Sequence, residues 1–166
     1  GSSDAPYTGG LINTFSYKNW ELNVNFSLTF GGYVRTQPSY DIINPDYGKN
    51  YNADVLNRWT PENPTSNIPR ARAQGSNEYS SLYVEDGSFL KLKNISLGYN
   101  FEAKTLKPLH ISSARVYLSA ENIATISGYS GSDPEVSTRN SPLTPGFDWS
   151  PYPRAFSMSL GLNVTF

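Results

Sequence analysis

The chain has 166 residues, with 13 Lys and Arg against 14 Asp and Glu and a formal net charge of −1, a balance that argues against a nucleic-acid surface or an acidic tail. It has no cysteine and one histidine, His110, which excludes disulfides, thiolate zinc sites, cysteine nucleophiles and His-rich metal centres. With 14% aromatic residues, 12 Tyr, 13 Gly and 12 Pro, the composition is that of one loop-rich, β-leaning domain.

The opening GSSDAPYTGG carries no signal-peptide pattern and reads as the middle of a longer protein. GGLINTFSY follows, a loose strand with Leu11, Asn13, Phe15 and Tyr17 on one face. Lys18 and Asn19 form a tight hairpin turn into NWELNVNFSLTFGG. Here Trp20, Leu22, Val24, Phe26, Leu28 and Phe30 share one face, and Glu21, Asn23, Asn25, Ser27 and Thr29 share the other. Only a period of two separates the classes so cleanly.

Gly31 to Gly87 is a very long connection, rich in aromatics. It is expected to hold one short helix, with Asn52 as N-cap, Ala53 to Trp59 as body and Pro61 as stop. Glu85, Asp86 and Gly87 read as a turn. A third strand, GSFLKLKNISLGYNF, puts Ile95, Leu97, Tyr99 and Phe101 on one face, although Lys91 and Lys93 fall on the apolar phase of its first half. A fourth, SARVYLSAENIA, alternates Ala114, Val116, Leu118 and Ala120 with Arg115, Tyr117, Ser119 and Glu121. A second long connection runs from Ser127 to Pro153, and the carboxylates Asp133, Glu135 and Asp148 in it read as solvated turn residues. The closing run, Phe156 to Phe166, alternates without a break: Phe156, Met158, Leu160, Leu162, Val164 and Phe166 against Ser157, Ser159, Gly161, Asn163 and Thr165.

Alternation fits any half-buried antiparallel sheet. Two details favour a bilayer. The strands approach about ten residues, the tilted span of a hydrocarbon core, against about five or six in ordinary strands. Aromatics also bracket the apolar faces, Trp20 and Phe30 on one strand and Phe156 and Phe166 on another, as in the girdles of transmembrane barrels. Trp20, Leu22, Val24, Phe26, Leu28 and Phe30 are then lipid-facing. Short turns alternate with long connections, matching short periplasmic turns and long external loops. Five strands cannot close a barrel, and open edges in lipid leave backbone groups unpaired. The expected fold is therefore all-β, an antiparallel portion of a larger barrel. The competing expectation is a soluble β-sandwich that binds glycan or protein through its loop aromatics. No nucleophile–base–orienter set is visible, so no enzyme is expected.

RWTPENP with IPRA, VEDGSFLKLKNISLGYNF, SSARVYLSAENI, YSGSDPEV and the terminal LGLNVTF, in that order, together with the upstream YTGGLINTFSYKNWELNV, resemble the C-terminal part of SusC/RagA-type TonB-dependent outer-membrane transporters of Bacteroidetes. The resemblance covers nearly the whole chain. It implies a barrel of about 22 strands with an N-terminal plug, of which these would be the last five. It also implies import of oligosaccharides or peptides driven by the TonB complex through an N-terminal part absent here, a SusD-like surface lipoprotein as external lid, and no cofactor. The expected location is the outer membrane of a Gram-negative bacterium. Phe166 with Val164, Leu162, Leu160 and Met158 resembles the terminal signal read by the barrel-assembly machinery, which acts by strand addition. Tyr79, Tyr83 and Trp59 are the expected candidates for ligand or lid contact, since aromatic rings stack on sugars and anchor interfaces.

Overall fold

The computed structural model describes residues 2–43, 50–70, 80–136 and 145–166. Its strands are β1 (Tyr7–Tyr17), β2 (Trp20–Phe30), β3 (Tyr33–Thr36), β4 (Val84–Asp86), β5 (Phe89–Asn100), β6 (Ser113–Ser127), β7 (Phe147–Asp148) and β8 (Ser157–Thr165). Two short helices, α1 (Gln37–Ile43) and α2 (Ala103–Leu106), lie in connections. The chain divides into two units, one of Gly1–Asp4, Gly32–Gly87 and Tyr129–Tyr152, the other of Ala5–Gly31, Ser88–Gly128 and Pro153–Phe166.

The second unit is a five-stranded antiparallel sheet in the order β1-β2-β5-β6-β8. These are the five strands expected from alternation. They run 11, 11, 12, 15 and 9 residues. The β1–β2 turn is Lys18-Asn19, as expected, with Tyr17 opposite Trp20. Lys18 takes φ 52°, the positive value that primed hairpin turns need at their first central residue.

The register lines the apolar positions up across the sheet. Phe15, Leu22, Leu97, Leu118 and Leu160 form one row. Tyr17, Trp20, Tyr99, Val116 and Leu162 form the next. The ambiguous phase at Lys91 and Lys93 resolves through a β-bulge. Leu92 pairs with Phe26 and Asn94 with Asn25, so Lys93 is the extra residue. That insertion moves Leu90 and Leu92 onto the face of Ile95 and Leu97, and Lys91 onto the polar face.

The first unit is built from the long connections. A three-stranded sheet of order β4-β3-β7 holds it, antiparallel on one side of β3 and parallel on the other. Val34, Val55, Tyr83 and Tyr129 form its buried apolar residues. The expected N-cap is present: the Asn52 side chain accepts from the Asp54 amide. The helix it starts is a 3-10 turn over Ala53–Asn57, shorter than expected, because Arg58 already has extended ψ ahead of the proline-rich stretch. The expected turn at Glu85 and Asp86 is instead the end of β4.

Candidate functional site

The apolar face of the five-stranded sheet is open to its surroundings. Leu160 is 76% exposed, Met158 and Leu162 are 64% exposed and Phe15 is 58% exposed. A sandwich core would be covered, so the soluble-sandwich expectation is not favoured. Trp20, Leu22, Val24, Phe26, Leu28 and Phe30 lie on this face, as do Met158, Leu160, Leu162 and Val164. Aromatic residues stand at both ends of it. Tyr7 and Phe30 face each other at the long-connection end. At the short-turn end the Trp20 and Tyr99 rings lie 4.8 Å apart, and Tyr99 and Phe101 lie 5.2 Å apart.

The opposite face is a polar lattice. Glu21, Gly98, Tyr117 and Gly161 share a row, and Asn23, Ser96, Ser119 and Ser159 share the next. Arg115 on β6 reaches across β5 to Glu21 on β2, donating at 3.0 Å to Oε1 and 3.4 Å to Oε2. Asn23 donates to Glu21 at 2.9 Å, and Thr14 donates to Asn23 at 2.6 Å. The crossing is possible because β5 has no side chain there: a Cβ on Gly98 would sit 2.7 Å from the Arg115 guanidinium. Gly161 serves Tyr117 likewise, since a Cβ would come within 2.2 Å of its ring. No sequence motif marks Glu21 and Arg115 as partners, because 94 residues separate them.

In the loop unit the expected contact aromatics separate. Tyr83 is buried at 4% exposure and packs edge-on to Tyr40 at 5.0 Å, a supporting position rather than an offered surface. Trp59 is 37% exposed and borders a cleft of about 390 Å³ with Ser66, Asn67, Ile68, Pro69 and Arg70. Its walls are held by the Trp59 amide donating to the Ile68 carbonyl at 2.8 Å. A ring, a guanidinium and small polar groups suit a sugar or a peptide backbone. Tyr79, with Tyr47 and Arg72, lies outside the described residues. Trp149, absent from the expected candidates, is 59% exposed and packs at a tilt against Phe147 with ring centroids 5.5 Å apart, and the Phe147 ring in turn lies 5.0 Å from the Arg35 guanidinium. Among the described residues no group of three His, Asp or Glu could hold a metal ion.

Asp148, expected as a solvated turn residue, is buried. Its carboxylate accepts the Tyr129 hydroxyl and the Ser150 amide, the latter at 2.8 Å. Glu85 accepts the Ser130 amide at 2.9 Å and its hydroxyl at 2.7 Å. The start of the second long connection is thus clamped twice. Burial, then the Asp148 carboxylate, hold the Tyr129 hydroxyl pKa above its ordinary 10.0. A raised folded-state pKa means the contribution is complete below the unfolded value and is lost as pH rises past it. Loop-unit stability is therefore expected to fall with pH from about 10 upward. In Tyr129→Phe that alkaline component should be absent. Alkaline titration followed by near-UV circular dichroism checks it, and an unchanged profile in the variant would refute the assignment.

Over its whole length the chain is 33% identical to TonB-dependent receptor P3 of Formosa agariphila, in 172 aligned residues that make up 17% of that protein. It is 30% identical to the TonB-dependent receptor SusC of Bacteroides thetaiotaomicron, over 95% of the chain and 15% of SusC. The fold matches the RagAB peptide transporter structure with a TM-score of 0.81 and 28% identity, covering 99% of this chain and 18% of that one. No protein-family model matches the chain. The chain thus spans less than a fifth of the length of the curated relatives it matches.

Proposed function

Because this chain is a segment of a SusC/RagA-type TonB-dependent receptor, aligned with the C-terminal portion of its relatives, we propose that it forms part of the barrel wall of an outer-membrane nutrient importer. The observation that carries this reading is the register: five strands of membrane-crossing length present one continuous apolar face and one continuous polar face. The apolar face meets lipid and the polar face lines the lumen. In the whole receptor these are the last five of about 22 strands. The outer edges of β1 and β8 pair with strands beyond this segment, since a lipid-exposed edge would strand backbone donors and acceptors.

The whole importer then works with a plug and the TonB complex, under a SusD-like lipoprotein lid. The RagAB relative is a peptide transporter; peptide or oligosaccharide is the cargo class proposed here. The Trp59 cleft and the exposed Trp149 are the proposed contact points on the loop unit, together with Tyr79. Met158, Leu160, Leu162, Val164 and Phe166 form the strand offered to the barrel-assembly machinery.

The test uses the absence of native cysteine. Single cysteines at each position from Met158 to Val164, carrying an environment-sensitive dye, are read with and without lipid vesicles. The expected signal alternates with a period of two and turns apolar at Met158, Leu160, Leu162 and Val164 only with lipid. An alternating apolar signal that ignores lipid would mean a protein-covered face and would defeat the proposal.

A further inference from the structure

The short-turn end of the five-stranded sheet combines an aromatic row on its apolar face with lysines in its turns. Its apolar face ends in Tyr17, Trp20, Tyr99 and Phe101, with Phe166 in the same phase of the last strand. Tyr17 is 71% exposed. Lys18 lies beyond these rings, with its Nζ 5.4 Å from the Tyr17 ring centroid. The cation therefore sits at the edge of the apolar face, held over an aromatic face. The neighbouring turn abuts this one, because the Asn100 amide donates to the Asn19 carbonyl at 2.9 Å. It carries Lys104, Lys107 and His110 against one carboxylate, Glu102, which pairs with Lys104 at 2.8 Å. Among the described residues neither Lys18 nor Lys107 is in an ion pair. Leu109, between Lys107 and His110, is 64% exposed on this turn while Leu106 is buried.

An apolar band, an aromatic row and then unneutralised lysines match the order of layers in a bilayer leaflet: acyl chain, interface, phosphate. Lysine at such a boundary extends its alkyl stem along the rings and its ammonium to the headgroups. We infer that this end of the sheet is a phospholipid-headgroup contact, with Lys18 binding the anionic phosphate and Tyr17, Trp20 and Leu109 seated at the interface. The contact sets the depth at which the wall sits. The inference rests on the lipid-facing reading above.

The test uses the full-length receptor that carries this segment, inserted in vesicles of phosphatidylcholine alone or mixed equally with phosphatidylglycerol. A bimane dye on Asn19→Cys reports quenching by lipids with a nitroxide on the headgroup or deep in the chain. Headgroup quenching should exceed chain quenching. It should rise about threefold when the labelled lipid is anionic, in low salt. Lys18→Gln, on an exposed turn, should abolish that anionic preference and leave the dye quenchable. A wild-type signal with no anionic preference, or a preference that survives Lys18→Gln, would overturn the inference and leave the wall reading standing. Absence of lipid quenching both at Asn19→Cys and at Leu160→Cys would instead defeat the wall reading, and this inference with it.

Discussion

Leu160→Arg in the full-length receptor is expected to block its assembly into the membrane. Leu160 lies near the middle of β8, opposite Leu118, in the row that runs through Leu97, Leu22 and Phe15. A guanidinium at mid-depth on the lipid face of a barrel costs about 2–4 kcal/mol. That is a large part of the margin by which proteins are stable. Ser159→Arg is the matched control, one residue away on the polar face opposite Ser119, where the cost should be small. Folded barrels resist unfolding in unheated detergent gels, so the ratio of folded to unfolded band, with surface labelling of cells, reads the outcome. Equal, normal levels of both variants would show that Leu160 does not meet lipid.

The second large effect belongs to the loop unit. Asp148→Ala removes the acceptor of two donors at once, the Tyr129 hydroxyl and the Ser150 amide. The buried Tyr129 hydroxyl left unsatisfied costs about 1–3 kcal/mol, and the Ser150 amide, on an exposed residue that water can reach, costs less. Tyr129→Phe removes donor and hydroxyl together and should cost less than Asp148→Ala. The two changes share one hydrogen bond, so the double variant should be less destabilised than the sum. Amide hydrogen exchange at Ser150 and Tyr129 is the measurement. Ser130, held separately by Glu85, should keep more of its protection. Strict additivity would mean that the two side chains do not act as a pair.

The strands were legible because membrane-length alternation is a local signal repeated many times. In Trp20–Phe30 every second residue is large and apolar, and no other secondary structure fits. The Lys18-Asn19 hairpin and the Asn52 cap were legible for the same reason, since each depends on adjacent residues. The bulge at Lys93 was visible only as a broken phase. Its resolution needed the partner register on β2. The β4-β3-β7 sheet was not visible at all. Its strands have three, four and two residues, too few for a period, and β7 joins β3 across most of the chain. Asp148 looked like a solvated turn residue because its partner Tyr129 lies 19 residues away. Sequence does not separate Trp149 from Tyr79, Tyr83 and Trp59, because aromatic richness alone does not say which rings are buried. Tyr83 proves to be packing, and Trp149 proves exposed.

The Glu21–Arg115 pair has a further consequence, for error correction during assembly. A strand that slips by one residue turns every apolar side chain to the wrong face and is rejected by burial alone. A slip by two leaves all of them on the correct face, so the hydrophobic effect is blind to it. The salt bridge is not. If β5 slid by two against its neighbours, Ser96 or Asn100 would replace Gly98 beneath the guanidinium, and a side chain would stand in its path. Gly98 thus leaves the guanidinium a direct path to Glu21 when the three strands are aligned, and in the slipped register Arg115 would have to move aside. The charge pair thereby favours the aligned register over one that burial alone would accept equally.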